Sequence, residues 1–265
     1  MDNIFEQLLF TTLRIECLDY LKNVIGIGTG FLIQRPIGED ACKIYLVSNK
    51  HVLCNANSIT VSFTKQKNEK ADLGNILKLT IENTKNSVIP HPNPEADVAI
   101  IDCTGIFANA YPNELYVQTV PYDMLATFEE PELNVAENIF FVGYPNDRYD
   151  IKNNLPLIRS GMIASHPKFN YNGEPIFIID AQVFPGSSGS PVYIDLTYEN
   201  IKNGKITLGI KEIKLLGIVS STMIRNNRLK AIQASHFEVC SEEVLGLGIV
   251  FKSTLIKELI DSAPK

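Results

Sequence analysis

The sequence predicts an all-β protein made of two consecutive β units, with a short helix at each end. Three observations carry this expectation. Short β-branched and apolar runs follow one another along most of the chain, with turn residues between them. That pattern thins between about residues 104 and 137, where three prolines and an acidic cluster favour a connector. Helical spacing of apolar residues survives mainly near the two ends.

The elements follow in order from these patterns. Residues 1–10 predict a short amphipathic helix capped by Asp2, and residues 253–265 a second one that begins at Ser253. Between them we expect a first β unit at 11–110, a connector at 111–137 and a second β unit at 138–252. Each unit has about six strand candidates. They lie at 11–17, 25–34, 43–49, 58–63, 77–82 and 97–102, and then at 138–144, 159–165, 175–184, 190–195, 205–220, 230–235 and 247–252.

Composition excludes several classes of protein. With 265 residues, 45% of them hydrophobic and 20% charged, the chain can bury one or two cores and is not disordered. The net charge of −6 and the lack of a Lys/Arg run argue against a nucleic-acid partner. Its apolar runs are far below the ~18 residues that span a bilayer. The acidic N-terminus is unlike a secretory signal, so we expect a cytoplasmic protein without a membrane partner.

The five cysteines agree with this compartment. Their number is odd, and none of them forms a CxxC pair of the kind used for zinc or redox chemistry. Reduced, buried thiols that act as small apolar residues are therefore expected, together with no metal site.

Three separate segments carry residues suited to nucleophilic catalysis. His51 follows an apolar run in "YLVSNKHVL", and Asp97 opens another in "HPNPEADVAIID". In "FPGSSGSP", glycines at 186 and 189 flank Ser187 and Ser188 and allow backbone amides to converge on one point. Taken alone, each segment also fits a structural histidine, a turn-capping aspartate or a polar turn. Together they offer a proton acceptor, an orienting carboxylate and a nucleophile, in the order His, Asp, Ser.

At the level of these motifs, the chain resembles the trypsin-like (chymotrypsin-fold) serine peptidases, and among them the bacterial Deg/HtrA-like branch. The similarity extends from about residue 12 to 262. It is carried by six segments: "GTGFLI" (28–33), "VSNKHV" (47–52), "ADVAII" (96–101), "DAQVFPGSSGSPV" (180–192), "LLGIVSS" (215–221) and "GIVFKSTLIKELI" (248–260).

This resemblance implies two six-stranded antiparallel β-barrels and hydrolysis of peptide bonds in a protein or peptide substrate, without a cofactor. Ser188 would attack the substrate, His51 would act as base and then as acid, and Asp97 would orient His51. The backbone N–H groups of Gly186 and Ser188 would form the oxyanion hole. Gln182 would lie at the base of the primary pocket.

The resemblance also assigns a strand that would bind the substrate. Ser220 would bond the catalytic aspartate, and Ser221 and Thr222 would continue this strand along the substrate backbone. We expect the primary pocket to prefer a small or medium apolar side chain of the substrate, since a neutral Gln182 argues against a preference for Arg or Lys.

The sequence departs from the digestive members of this family at Ser187. In the digestive members, an aspartate at that position pairs with a newly cut N-terminus. This chain has neither the aspartate nor an "IVGG"-like start. We therefore expect no activation by cleavage of that type, and an activating partner becomes possible. Two other hypotheses stay open at this point: a catalytically silent, peptide-binding module, and a processing peptidase of a regulatory or defence system.

Overall fold

The computed structural model describes residues 3–38, 41–111, 113–196, 200–202, 205–207, 212–230 and 238–263. Its helices are few and short. They are α1 Ile4–Thr11, α2 Lys50–Leu53, α3 Thr84–Ser87 and α4 Ser253–Ser262, besides 3-10 turns at Tyr122–Met124 and Pro145–Asp147 and a π turn at Ile106–Ala110. In the part of the chain described, none of the helices has the length and apolarity needed to cross a membrane.

Eight strands form one sheet in the first β unit. They are β1 Thr12–Leu18, β2 Val24–Pro36, β3 Cys42–Ser48, β4 Ser58–Lys67, β5 Lys70–Glu82, β6 Val88–Pro90, β7 Ala99–Asp102 and β8 Val120–Pro121. Seven of them pair in the order β5-β4-β1-β2-β3-β7-β6, and β8 adds to β2 in parallel. Strand β3 leads directly to α2, and a short turn precedes β7. Because β3 and β7 are antiparallel, the end of β3 lies beside the start of β7, and α2 lies close to that turn.

The second β unit contains a closed barrel. Its strands, with a separate pair β13–β14, are β9 Asn138–Gly143, β10 Leu157–Ile163, β11 Ile176–Asp180, β12 Pro191–Asp195, β13 Asn200–Lys202, β14 Lys205–Thr207, β15 Ile213–Lys230 and β16 Glu238–Lys252. Six strands close in the order β10-β11-β16-β15-β12-β9, with antiparallel pairing throughout.

The predicted all-β architecture, with two β units and terminal helices, is confirmed. The first sheet differs from the expected six strands, because the short strands β6 and β8 complete it. Strand β8 lies within 111–137, so this segment adds a strand to the first unit as well as connecting the two units. The strand expected at 205–220 is found as β14 and β15. Residues 208–211, and all but the first residue of the strand expected at 230–235, lie outside the described residues.

The two terminal helices are held in different ways. Asp2, the expected cap of α1, lies outside the described residues, and the side chain of Asn3 caps this helix by accepting a hydrogen bond from the Phe5 amide (3.0 Å). Helix α4 is anchored by Ser253, whose hydroxyl donates to the Ala126 carbonyl (2.8 Å).

One hydrophobic cluster joins both β units and both terminal helices. Phe31 and Val47 of the first unit, Tyr193 and Leu215 of the second, and Ile256 of α4 are all buried in it. Two further clusters lie within the single units. Because the shared cluster draws side chains from every part of the chain, it fixes the orientation of the two units relative to each other.

Truncation of this shared cluster is expected to destabilise the whole protein. Ile256 is fully buried, so Ile256→Ala removes apolar contacts and leaves a cavity. We expect the free energy of unfolding to fall by about 2–5 kcal/mol, measured by denaturant titration. Lys257→Ala, on the exposed face of the same helix, should lower it by less than about 1 kcal/mol. Equal losses in the two variants would contradict a shared core beneath α4.

Candidate active site

His51 stands on the first turn of a short helix at the end of a buried strand. Strand β3 is followed by Asn49, which is buried and donates from its side-chain amide to the Asp97 carbonyl (2.7 Å). Helix α2 then begins at Lys50 and turns the next side chain outward. The His51 ring is therefore 45% exposed, while its backbone is held by buried structure on both sides.

The Asp97 carboxylate receives three hydrogen bonds. The His51 amide donates to Oδ1 (3.0 Å), His51 Nδ1 donates to Oδ2 (2.7 Å), and the Ser220 hydroxyl also donates to Oδ2 (2.6 Å). Burial of this carboxyl group raises its pKa, but the hydrogen bonds from His51 and Ser220 outweigh burial, and the pKa is lowered overall. Asp97 is thus an ionised acceptor that fixes the orientation of the His51 ring and leaves Nε2 on its outer side.

Ser188 lies in the loop between β11 and β12. This loop requires left-handed backbone at Gly186 (φ +87°) and Gly189 (φ +86°), a conformation in which side chains other than glycine are strained. The Ser188 hydroxyl donates to the Ser220 carbonyl (2.9 Å). Within the described part of the chain, the amides of Gly186 and Ser188 have no hydrogen-bond acceptor, so both N–H groups are available to a ligand.

Thr29, in β2 of the first unit, holds the same loop from the other side. Its amide donates to the Ser188 carbonyl (2.8 Å), and its hydroxyl donates to the Gly186 carbonyl (2.7 Å). Its own carbonyl accepts from the Ser48 hydroxyl (2.6 Å) and lies where a Cβ on Gly189 would be. The contact therefore ties the loop of the second unit to the strands that carry His51.

A cavity of about 400 Å³ lies in front of these groups. It is lined mostly by apolar surface, with His51 and Ser188 on one side. Its other lining residues are Val183, Phe184, Pro185, Ser220, Ser221 and Thr222. The Thr222 hydroxyl donates to the Leu247 carbonyl (3.2 Å), which fixes the strand on which Ser220 and Ser221 lie.

The structure brings together most of the residues that the sequence indicated. His51, Asp97, Ser188 and Ser220 are linked by hydrogen bonds, and Ser221 and Thr222 line the cavity beside them. Gln182 is not among them: it is exposed and does not line the cavity, and its buried neighbour Val183 does. Burial alternates along residues 181–183, just beyond the end of β11, so Val183 faces the interior and Gln182 faces solvent.

Sequence reasoning missed two residues that support the site. Thr29 lies between two glycines in "GIGTGF", and Asn49 lies two positions before His51. Both are fully buried polar residues. A polar residue in or next to an otherwise apolar strand was the available signal for both. Their hydrogen-bond partners lie far away in the sequence, however, so no local pattern indicates them. No group of three or more His, Cys, Asp or Glu residues that could hold a metal ion occurs among the described residues.

Comparisons with known proteins identify the family and the fold. Residues 28–197 match the family described as trypsin-like peptidase domain. The crystal structure of the Rv3671c protease from M. tuberculosis, in its active form, is similar with a TM-score of 0.53 and 18% sequence identity. The similarity covers 100% of this chain and 86% of that one, and it shows a shared chymotrypsin-like fold. No curated protein sequence matches the chain.

The lowered pKa of Asp97 predicts a pH dependence of stability. Stabilisation from this carboxylate is complete above its unfolded-state pKa of about 3.9 and is lost as the pH falls through the lower folded-state value. Asp97→Asn removes this contribution at every pH. We therefore expect the difference in unfolding free energy between wild type and variant to shrink from about pH 6 to about pH 3, measured by denaturant titration. A difference that stays constant over this range would contradict the ionised, hydrogen-bonded state of Asp97.

Proposed function

The chain belongs to the family of trypsin-like peptidase domains, and on this premise we propose that it is a serine endopeptidase that hydrolyses peptide bonds through an acyl-enzyme. The observation that carries the proposal is the chain of hydrogen bonds from Ser220 through Asp97 to His51, which ends at the cavity that also contains Ser188. The substrate is a protein or peptide, and the reaction needs no metal and no organic cofactor.

In the proposed first step, Ser188 Oγ attacks the carbonyl carbon of the scissile peptide bond. Its proton passes to His51 Nε2, since Nδ1 is engaged by Asp97. The ionised Asp97 stabilises the imidazolium that forms. The N–H groups of Gly186 and Ser188 donate hydrogen bonds to the negatively charged substrate oxygen.

The tetrahedral intermediate then breaks the carbon–nitrogen bond. His51 gives its proton to the leaving amine, which departs and leaves the acyl group on Ser188. A water molecule then hydrolyses the acyl-enzyme. His51 takes a proton from this water while the water oxygen attacks the acyl carbon. Ser188 recovers a proton from His51, and the carboxylic acid product leaves.

One observation favours a second candidate, a catalytically silent peptide-binding module. The Ser188 hydroxyl donates to the Ser220 carbonyl and therefore has to be redirected before it can donate to His51. Such loose geometry is common in active sites without substrate, because catalytic hydrogen bonds tighten only when the substrate is bound. The ionised Asp97 and the two unengaged amides support the enzyme, since a binding module needs neither.

The finer features of the proposal concern regulation. Ser187 stands where activation by a new N-terminus would require a carboxylate, which supports a peptidase that works without such cleavage. An activating partner, a role as a processing peptidase in a regulatory or defence system, and a cytoplasmic location stay predictions.

Covalent labelling tests the nucleophile. We expect a fluorophosphonate probe to label the wild-type protein and not Ser188→Ala, and the same variant to lose about 10⁴-fold or more in peptide hydrolysis. The readouts are in-gel fluorescence and the rate of cleavage of a peptide ester.

Ser187→Ala is the matched control. The Ser187 hydroxyl is buried without a hydrogen-bond partner in the described part of the chain, so its removal leaves no group newly unpaired. It should keep the label. Loss of labelling in this variant alone would move the nucleophile to Ser187, and an unlabelled wild type would favour the binding module.

The cavity predicts which residue precedes the cleaved bond. Val183 forms part of its wall, and a Cβ on Gly248 of the facing strand would come within 2.7 Å of the Val183 side chain, so this wall is closely packed. We expect cleavage after Ala or Val in preference to Phe, and Val183→Ala to raise kcat/KM for Phe peptides about 10-fold. Gln182→Ala should leave the preference unchanged, because that side chain lies off the cavity. A shift with Gln182→Ala instead would place the pocket differently.

A further inference from the structure

We propose that the ion pair between Arg14 and Asp147 is a positioning device for the oxyanion loop, which we define as residues 184–189. It joins the first β unit to a turn of the second unit on which this loop rests. The inference rests on the proposed peptidase function for its effect on catalysis. Its structural part, that the pair keeps the loop in place, stands on contacts alone.

Arg14 is a charged residue in a buried position. Its side chain is only 8% exposed, in the middle of β1, and its guanidinium donates twice to Asp147, from Nε to Oδ1 (2.6 Å) and from Nη2 to Oδ2 (3.0 Å). Nη1 donates to Glu16, and the ring of Tyr149 lies 5.4 Å from the guanidinium carbon. Burial lowers the pKa of Arg14, but the hydrogen bonds to Asp147 and Glu16 raise it overall. The guanidinium is buried while the Asp147 side chain is 45% exposed, and the two parallel hydrogen bonds between them define the geometry of the pair.

Asp147 ends a turn that needs such a restraint. Both Asn146 (φ +47°) and Asp147 (φ +57°) are in the left-handed region, which residues other than glycine rarely adopt. Asn and Asp tolerate this region better than most side chains, and contacts with the rest of the protein help to hold two such residues in succession. The bond to Arg14 fixes Asp147, and the turn is closed by the Asp147 amide, which donates to the Tyr144 carbonyl (3.1 Å).

The same turn contacts the oxyanion loop at two points. The Asn146 amide donates to the Pro185 carbonyl (2.6 Å), directly before Gly186. The Tyr144 carbonyl lies against Gly186, where any added Cβ would overlap it. A movement of the turn would therefore move the peptide unit that carries the Gly186 N–H, one of the two proposed donors to the oxyanion.

The loop has few charged restraints of its own. Ser187 provides a buried hydroxyl without a hydrogen-bond partner in the described residues, so it gives no tether at the position next to the nucleophile. Thr29 holds the loop on one side and the turn holds it on another. The loop also contacts β15, where the Gly189 amide donates to the Val219 carbonyl (2.8 Å) and the Ser188 hydroxyl to the Ser220 carbonyl (2.9 Å). Arg14–Asp147 is the ion pair that holds this turn.

Amide hydrogen exchange tests the positioning directly and needs no activity. We expect Arg14→Gln and Asp147→Asn to speed the exchange of residues 184–190 roughly tenfold, while strands β11 and β16 keep their protection. Glu16→Gln is the matched control: Glu16 accepts from the same guanidinium and from Lys78 but does not contact the turn. It should leave the loop unchanged. Unchanged exchange in both pair variants, or an equal increase in Glu16→Gln, would overturn the proposal.

Kinetics test the consequence for catalysis. A small displacement of an oxyanion donor lowers the rate of the chemical step, so kcat should fall about 10- to 100-fold while KM changes little. Arg14→Lys keeps the charge but not the two-fold hydrogen bond, so its kcat should lie between those of the wild type and Arg14→Gln. The double variant Arg14→Gln/Asp147→Asn should lose hardly more than either single variant, because the two residues act as a unit. A loss in KM alone, or additive losses in kcat, would contradict a positioning role. A wild type that hydrolyses nothing would refute the proposed function, and the exchange experiment would still decide whether the pair holds the loop.

Discussion

The site depends on one contact between the two β units, the pairing of Thr29 with the loop that carries Ser188. Thr29 donates to the loop from both its amide and its hydroxyl, and its carbonyl fits only because residue 189 has no side chain. His51 and Asp97 belong to the first unit and Ser188 to the second, so no local element can bring them together. The contact does so at the level of the backbone, where positions are more precise than those of free side chains. The shared hydrophobic core supports it from below.

A second link runs through side chains in the opposite direction. Ser220 of the second unit donates to Asp97 of the first, and its carbonyl receives the Ser188 hydroxyl. One residue therefore orients the carboxylate and engages the nucleophile at the same time. The Ser188 hydroxyl donates to the Ser220 carbonyl here, so in the proposed enzyme it has to turn to His51 when a substrate occupies the cavity.

Much of this arrangement is readable from the sequence, and the rest is not, for physical reasons. Strand patterns predict the two β units, and the glycines around Ser188 announce a left-handed loop, because these signals are local. The short strand β8 escapes detection, since two residues within a proline-containing segment have no periodicity. Gln182 was expected in the pocket in place of Val183, because register decides which neighbour faces inward and a loop does not reveal its register. Arg14 and Asp147 are 133 residues apart in the sequence, so no motif joins them.

The neutral residue at position 187 makes physical sense in this setting. A carboxylate buried there without a cation would cost several kcal/mol in lost hydration, whereas an unpaired hydroxyl costs only about 1–3 kcal/mol. With Ser187, the loop carries no buried charge that needs a partner, and contacts with other segments add to the hydrogen bonds within the loop. Thr29 supplies such contacts through hydrogen bonds to Gly186 and Ser188, and Asp147 supplies them through the turn that touches Pro185 and Gly186. The negative charge that a carboxylate at position 187 would place beside the nucleophile is instead carried by Asp147. This residue lies outside the loop and pairs with Arg14 of the other unit.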